Sequence, residues 1–261
     1  MASRPPTRLS SRANPRLALV RRLSRDAAGY RRAGLAWLEG DHLLRARLAR
    51  GQPLHEVVIA ESAWAQAALA GLAARAERVL LVPDALFDEL SGLPSPARIG
   101  ALVPVPEALA PAVDAPGIVL DRVQDAGNVG SMLRSAAAMG VRQVLALKGT
   151  AALWSPKVLR AGMGAHFALQ LHEGLSIDDL QALRCPLLAG SSHAERSLAQ
   201  APLPWPCAWV FGNEGQGIDP ALLRRCAMQL RIDQPGGEES LNVAAAAAIC
   251  LYESARRRGR Q

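Results

Sequence analysis

Three stretches of the 261-residue chain set chemically competent side chains among glycines. The first holds Gln124, Asp125, Asn128 and Gly130, with Arg134 further along the helix expected to follow. The second is Gly212-Asn213-Glu214-Gly215-Gln216-Gly217, directly after the apolar run Ala208-Trp209-Val210-Phe211. The third runs from Ile232 through Pro235-Gly236-Gly237 to Ser240-Leu241-Asn242, and then into five alanines, Ala244 to Ala248. Glycine permits positive φ and lets backbone approach a ligand closely. Serine and asparagine accept hydrogen bonds from the free N–H groups of a first helical turn. The last helix therefore opens at Ser240 or Asn242, and its alanines let another backbone come near.

The ligand class follows from charge. The Gly-Lys-Ser/Thr of a Walker loop is absent, and so is Gly-x-Gly-x-x-Gly in order. Glu214 stands where a phosphate would be repelled. A neutral or cationic ligand is expected, and S-adenosylmethionine, a sulfonium without phosphate, meets that requirement. Taken alone, Arg134 reads as a side chain that reaches solvent, since its helix offers no close acid. The three stretches together, not any one of them, mark a site.

The elements that position these groups are legible in outline. A strand at 118–120, a polar loop at 121–127, a helix at 128–139 stopped by Gly140 and a strand at 141–147 form a βαβ unit. Such a unit implies a parallel sheet with a right-handed crossover, and functional groups collect where its strands end. A regular alternation of strand and helix is expected from Gly117 to the end. Upstream, residues 17–106 predict a smaller α/β domain. It has a helix over 35–50 carrying Arg45, Arg47 and Arg50, a strand at 56–60, a helix over 62–76 and strands at 79–82 and 99–103. Residues 1–16 are expected to form a flexible basic arm and 107–116 a proline-punctuated linker, with 117–261 as the second domain.

Half the residues are apolar, which excludes a disordered chain. The net charge is +7, and apart from Lys148 and Lys157 the basic residues are all arginine. Arginine's planar fork suits phosphate, so nucleic acid is the expected partner. Cys185, Cys207, Cys226 and Cys250 stand far apart and make no ligand pattern with the five histidines, so no metal is expected. No apolar run reaches the length of a membrane span, and the basic N-terminus lacks the core of a secretory signal. A cytoplasmic address is expected.

At the level of motifs the chain resembles the SpoU–TrmH family of RNA ribose 2′-O-methyltransferases, within the SPOUT superfamily. Asp125-Ala126-Gly127-Asn128 through Arg134 resembles its first motif, with Ala126 where proline is usual. Phe211–Ile218 resembles the second motif, and Glu239-Ser240-Leu241-Asn242-Val243-Ala244 the third. Ser155-Pro156-Lys157-Val158-Leu159-Arg160 is similar to a family segment between the first two, and the likeness covers residues 117–255. Leu38-Glu39-Gly40-Asp41-His42 is similar to the ribosomal-protein-like substrate-binding domain of many members. The resemblance implies a deep trefoil knot in the C-terminal domain and a homodimer. It also implies S-adenosylmethionine held by Gly212, Asn213, Glu214, Gly217, Ile232, Ser240 and Leu241. Arg134 takes the central catalytic role, with Asn128, Glu214, Ser240 and Asn242 orienting it and the ribose. Arg45, Lys157 and Arg160 are expected to grip RNA. The N-terminal domain favours large-subunit ribosomal RNA over tRNA as substrate, and a non-catalytic RNA-binding protein on the same scaffold is the rival reading.

Overall fold

Buried β-branched runs lay down the sheets. In the computed structural model, which describes residues 5–107, 109–237 and 240–258, the chain divides into two units. One takes the chain as far as Pro106 together with Trp154–Phe167; the other takes Glu107–Leu153 and the chain from Ala168 onward.

The first unit contains β1 (Thr7–Arg8), α1 (Pro15–Leu23), α2 (Gly29–Ala33), β2 (Leu35–Glu39), α3 (Asp41–Ala49) and β3 (Leu54–Ala60). It continues through α4 (Glu61–Trp64), α5 (Ala67–Ala73), β4 (Ala76–Val82), α6 (Asp84–Leu90) and β5 (Ile99–Pro104). The sheet order is β1-β4-β3-β5-β2, with β5 antiparallel to both neighbours. Val57, Val58 and Ile59 of β3 are fully buried. Three expectations are corrected here. The helix predicted over 35–50 is instead β2 followed by α3, divided at Gly40 with φ +100°. Leu35–Glu39 is apolar enough to be buried as a strand, and the Trp37 ring lies where a Cβ on Gly100 would sit, 2.3 Å away. The helix predicted over 62–76 is two short ones, α4 and α5. The described part of the expected flexible arm is ordered. Thr7 and Arg8 pair parallel with Leu80 and Leu81, Asn14 caps α1, and Arg8, Arg12 and Arg16 pair with Glu61, Glu89 and Glu56. Residues 1–4 lie outside the described residues.

The second unit begins with β6 (Gly117–Leu120), α7 (Ala126–Ala138) and β7 (Gln143–Leu147). The chain then forms α8 (Pro156–Gly162), whose segment belongs to the first unit. There Arg47 lies 5.5 Å from the centroid of the Phe167 ring, and Gln52 donates to the Phe167 carbonyl at 3.2 Å. Next come β8 (Gln170–Leu175), β9 (Leu187–Gly190), β10 (Arg196–Ser197), β11 (Ala208–Phe211), α9 (Pro220–Leu223), β12 (Met228–Arg231) and α10 (Val243–Arg258). The seven strands are parallel in the order β10-β12-β9-β11-β6-β7-β8. Strict alternation fails between β8 and β11, where only a 3-10 turn at Asp178–Ala182 intervenes. Within the expected linker, Ala112 and Ala115 are tied to β7. The fully buried Gln143 side chain accepts from the Ala112 N–H and donates to the Ala112 and Ala115 carbonyls.

Two termini of helices matter for the site. Asp125 caps α7 by accepting from the Asn128 N–H at 2.7 Å, so the helix opens two residues earlier than predicted; Gly140, φ +78°, ends it. Asn242, not Ser240, caps α10, its Oδ1 accepting from the N–H groups of Ala244 and Ala245 at 2.9 and 3.3 Å. At the far end of α10, paired hydrogen bonds from Arg256 and Arg257 hold the Glu253 carboxyl down to about 2. Arg257 also donates to the carbonyls of Leu198 and Ala199. No helix among the described residues is long and apolar enough to cross a membrane.

Burial pushes the Cys207 and Cys250 thiols up to about 12 and the Cys226 thiol up to about 11. The thiolate is the reactive form, so these groups should be inert in the folded chain. Titration with Ellman's reagent at pH 8 should find at most the half-buried Cys226 reacting in the native protein and all four cysteines after denaturation. Rapid reaction of Cys185, Cys207 or Cys250 in the native protein would contradict this packing.

Candidate active site

Strands β6 and β11 are neighbours in a parallel sheet, so the loops after them leave the same edge. The loop after β12 returns to that edge through the cap of α10. One amide joins all three. Asn128 donates through Nδ2 to Glu214 Oε1 at 3.1 Å and accepts through Oδ1 from Asn242 Nδ2 at 3.0 Å. The Glu214 carboxylate also accepts from the backbone N–H of Gln124 and of Asp125, each at 3.2 Å. Partial burial alone would raise the Glu214 carboxyl. The hydrogen bonds from Asn128 and from backbone N–H groups outweigh burial and hold it below the ordinary carboxylate range. Glu214 is therefore anionic at neutral pH.

The second loop has a shape only glycine allows. A Cβ on Gly212 would lie 2.2 Å from the carbonyl carbon of Gly217 and 2.3 Å from the Ile218 nitrogen. Asn213 and Gly217 exchange a pair of backbone hydrogen bonds at 3.0 and 2.9 Å, closing the loop. Within it, Asn213 Oδ1 accepts from the N–H groups of Gly215 and Gln216. Gly217 turns at φ +68°.

The second and third loops, with Gly190, Ser191, Ser192 and His193, wall a cavity of about 570 Å³. Gly212, Asn213, Glu214, Gly217, Ile232, Ser240 and Leu241, the residues expected to hold a cofactor, all line it, as does Asn242. Among the described residues that line it there is no arginine or lysine, and Glu214 is the one acid. In a chain of net charge +7 this is the electrostatic environment a cation needs and a phosphate does not. Gln234 also lines the cavity and carries a buried Oε1 with no hydrogen-bond partner, an acceptor suited to an N–H donor. A glycine cradle, a carboxylate, an unused acceptor and apolar Phe211, Ile218 and Leu230 together fit a sulfonium nucleoside.

Other expected residues lie elsewhere. Arg134 does not line the cavity; it is exposed on α7 and makes no hydrogen bond or ion pair among the described residues. Arg45 pairs with Asp41 at 3.0 Å on α3. Lys157 is exposed and Arg160 half-buried on α8, and both of these, with Arg45, belong to the first unit. Glu239 of the third stretch lies outside the described residues. Sequence reasoning missed the wall supplied by Gly190, Ser191, Ser192 and His193 after β9. The available signal was a Gly-Ser-Ser at the carboxyl end of an apolar strand, the edge where ligands of parallel sheets bind.

The sequence pattern of the SpoU rRNA Methylase family matches residues 116–252. The 23S rRNA (guanosine(2553)-2′-O)-methyltransferase RlmP of Bacillus subtilis is 32% identical over 219 residues, 82% of this chain and 86% of that protein. A crystal structure of an RNA 2′-O ribose methyltransferase, 31% identical, superposes with a TM-score of 0.79 over 97% of this chain and 99% of the other. The SpoU methyltransferase AviRb of Streptomyces viridochromogenes, in complex with the cofactor AdoMet, is 27% identical with a TM-score of 0.80. It covers 95% of this chain and 100% of its own.

Gly212→Ala should reduce S-adenosylmethionine affinity by about tenfold or more in calorimetry, because overpacking of this kind displaces backbone at a cost of about 1–3 kcal/mol. Wild-type affinity in that variant would show that the Gly212–Gly217 approach does not shape the cavity.

Proposed function

From the premise that the chain belongs to the SpoU rRNA methylase family, we propose how its residues divide the labour of RNA ribose methylation. The protein is an S-adenosylmethionine-dependent RNA (ribose-2′-O-)methyltransferase, and large-subunit ribosomal RNA is its substrate class. The observation that carries the division of roles is the Glu214–Asn128–Asn242 relay, two of whose members line a cavity with no arginine or lysine among its described lining residues.

When bound, S-adenosylmethionine supplies an electrophilic methyl group on a sulfonium. The chain's own contribution is alignment, exclusion of water and charge. Glu214 places a carboxylate beside the cavity and so favours a cation there. Gly212, Asn213, Gly217, Ile232, Ser240 and Leu241 hold the ligand against the wall of the second and third loops. Asn128 and Asn242 keep their amides fixed because each is already spoken for on both sides, and Ser240 is left to orient the ribose. Arg134 binds the phosphate next to the target nucleotide and stabilises the developing 2′-alkoxide. Its guanidinium holds its protons too firmly to act as the base. Its exposure and lack of internal partners support that role, since an arginine committed to a salt bridge is not available to RNA.

Lys157 and Arg160 meet RNA backbone from α8, with Arg45 from α3, so the first unit acts as the RNA-binding domain. A homodimer fits the stripe Ala245, Ile249 and Tyr252 on α10, which leaves two large apolar side chains 41% and 56% exposed at helical spacing. The trefoil knot belongs to the same reading and is supported by the way β12 enters the sheet between β10 and β9 before the chain finishes in α10. A cytoplasmic location agrees with ribosomal RNA as the substrate.

Arg134→Ala should lower kcat for ribose methylation by about 10²–10³-fold, the usual effect of removing one charge-stabilising group. S-adenosylmethionine affinity should stay at the wild-type value. Turnover at the wild-type rate would remove Arg134 from the chemistry.

A further inference from the structure

One buried carboxylate near the site is used by nothing described so far. Asp121 follows β6, is 2% exposed, and extends the sheet by donating its N–H to the Phe211 carbonyl at 2.9 Å. Its carboxylate accepts a two-pronged contact from the next residue: Arg122 Nε to Oδ1 at 2.8 Å and Arg122 Nη2 to Oδ2 at 3.1 Å. Oδ2 also accepts from the Asp219 N–H at 2.6 Å. Asp219 is the residue at which the second loop ends and α9 begins, its own Oδ1 accepting from the Ala221 N–H.

Arg122 reaches the middle and the start of the same loop. Its Nη1 donates to Gln216 Oε1 at 3.2 Å, and its carbonyl accepts from Asn213 Nδ2 at 2.9 Å. Asn213 in turn organises Gly215, Gln216 and Gly217. To make these contacts Arg122 adopts φ +57°, a conformation unfavourable for any residue with a Cβ. Local sequence does not call for it, so the surrounding bonds must hold it there. Across from it stands Gly149, where a Cβ would lie 3.1 Å from Arg122 Cγ. Arg122 is not among the residues that line the cavity, and its charge is met by Asp121. Hydrogen bonding to Asp121 raises the Arg122 guanidinium further, which keeps the pair ionised.

We propose that Arg122 is a positioning residue: locked by Asp121 and bonded to Asn213 and Gln216, it holds the Asn213–Gly217 loop in the shape that receives the methyl donor. The inference rests on the reading of the cavity as the S-adenosylmethionine site. A lone arginine brought this close to a cation would repel it. The buried Asp121 neutralises the guanidinium and leaves only its geometry to act. The latch works before ligand arrives, so it lowers the ordering that binding must impose.

Arg122→Gly removes the side chain without backbone strain, since glycine adopts φ +57° freely. Because it also leaves the buried Asp121 carboxylate without its counter-charge, exchange in the core strands serves as the control on the fold. Gln216→Ala removes only the outer prong. In the ligand-free protein, amide exchange at Gly215, Gln216 and Gly217 should quicken about tenfold in Arg122→Gly, as expected for loss of a hydrogen bond to a charged group. Exchange in the core strands β6 and β7 should be unaltered. The Kd for S-adenosylmethionine and its KM should rise about tenfold in both variants, with kcat at saturating cofactor within about threefold of wild type. Arg122→Lys, which keeps charge but not the fork, should recover only part of the affinity. Unaltered exchange in Arg122→Gly would overturn the latch, as would an unaltered Kd beside quickened exchange. If wild type gave no heat with S-adenosylmethionine, the reading of the cavity would fail, and exchange alone would still decide whether Arg122 orders the loop.

Discussion

The polarity of one side-chain amide constrains the site. Asn242 must turn its oxygen toward the first N–H groups of α10, so only its Nδ2 is left to donate outward. Asn128 must then present its oxygen to Asn242, which directs its own Nδ2 to Glu214. Glu214, accepting from Asn128 and from two backbone N–H groups, is held below the ordinary carboxylate range and favoured as the anion. A helix cap is thereby linked through two amides to the charge of the cavity. The link runs between loops separated by about a hundred residues of sequence, and it requires the sheet order that sets β6 beside β11.

The rest of the site follows from keeping the cavity small, closely approached and free of positive charge. Gly212 lets two stretches of backbone meet at a distance that no side chain tolerates. Arginines near the loops are either neutralised, as Arg122 is by Asp121, or turned outward, as Arg134 is. Other arginines are paired within the first unit, where Arg8, Arg12, Arg16, Arg32, Arg45, Arg78 and Arg98 all meet acids. Arg22, Arg50, Arg75, Lys157 and Arg160 of the same unit make no ion pair among the described residues and remain available to phosphate.

Legibility in the sequence followed the range of the physics involved. Loop chemistry at strand ends is local: residues of the second and third glycine-bearing stretches line one cavity, and the first is bonded to them through Asn128. The βαβ unit at 117–147 is likewise local, and its main error, a helix start two residues late, came from overlooking Asp125 as a cap. Misreadings arose where a tertiary contact decided the outcome. Leu35–Glu39 has the periodicity of either element and becomes a strand because β5 pairs with it. Thr7 and Arg8 look like arm residues and are ordered by an open sheet edge at β4. Ala112 and Ala115, inside the expected linker, are held by the buried amide of Gln143, a contact no local pattern announces. The wall after β9 had only the faint local signal of Gly-Ser-Ser at a strand end, and the bonds from Asp121 and Arg122 to the second loop depend on β6 and β11 being neighbours.

The central claim is that Glu214 and Asn242, which do not touch, act as one unit through Asn128. A double-mutant cycle in S-adenosylmethionine affinity, with Glu214→Ala, Asn242→Ala and the double variant, tests it most directly. A coupling of about 1 kcal/mol or more is predicted, the double variant losing less than the sum of the single ones. Additivity to within about 0.3–0.5 kcal/mol would contradict the account, because independent groups behave that way.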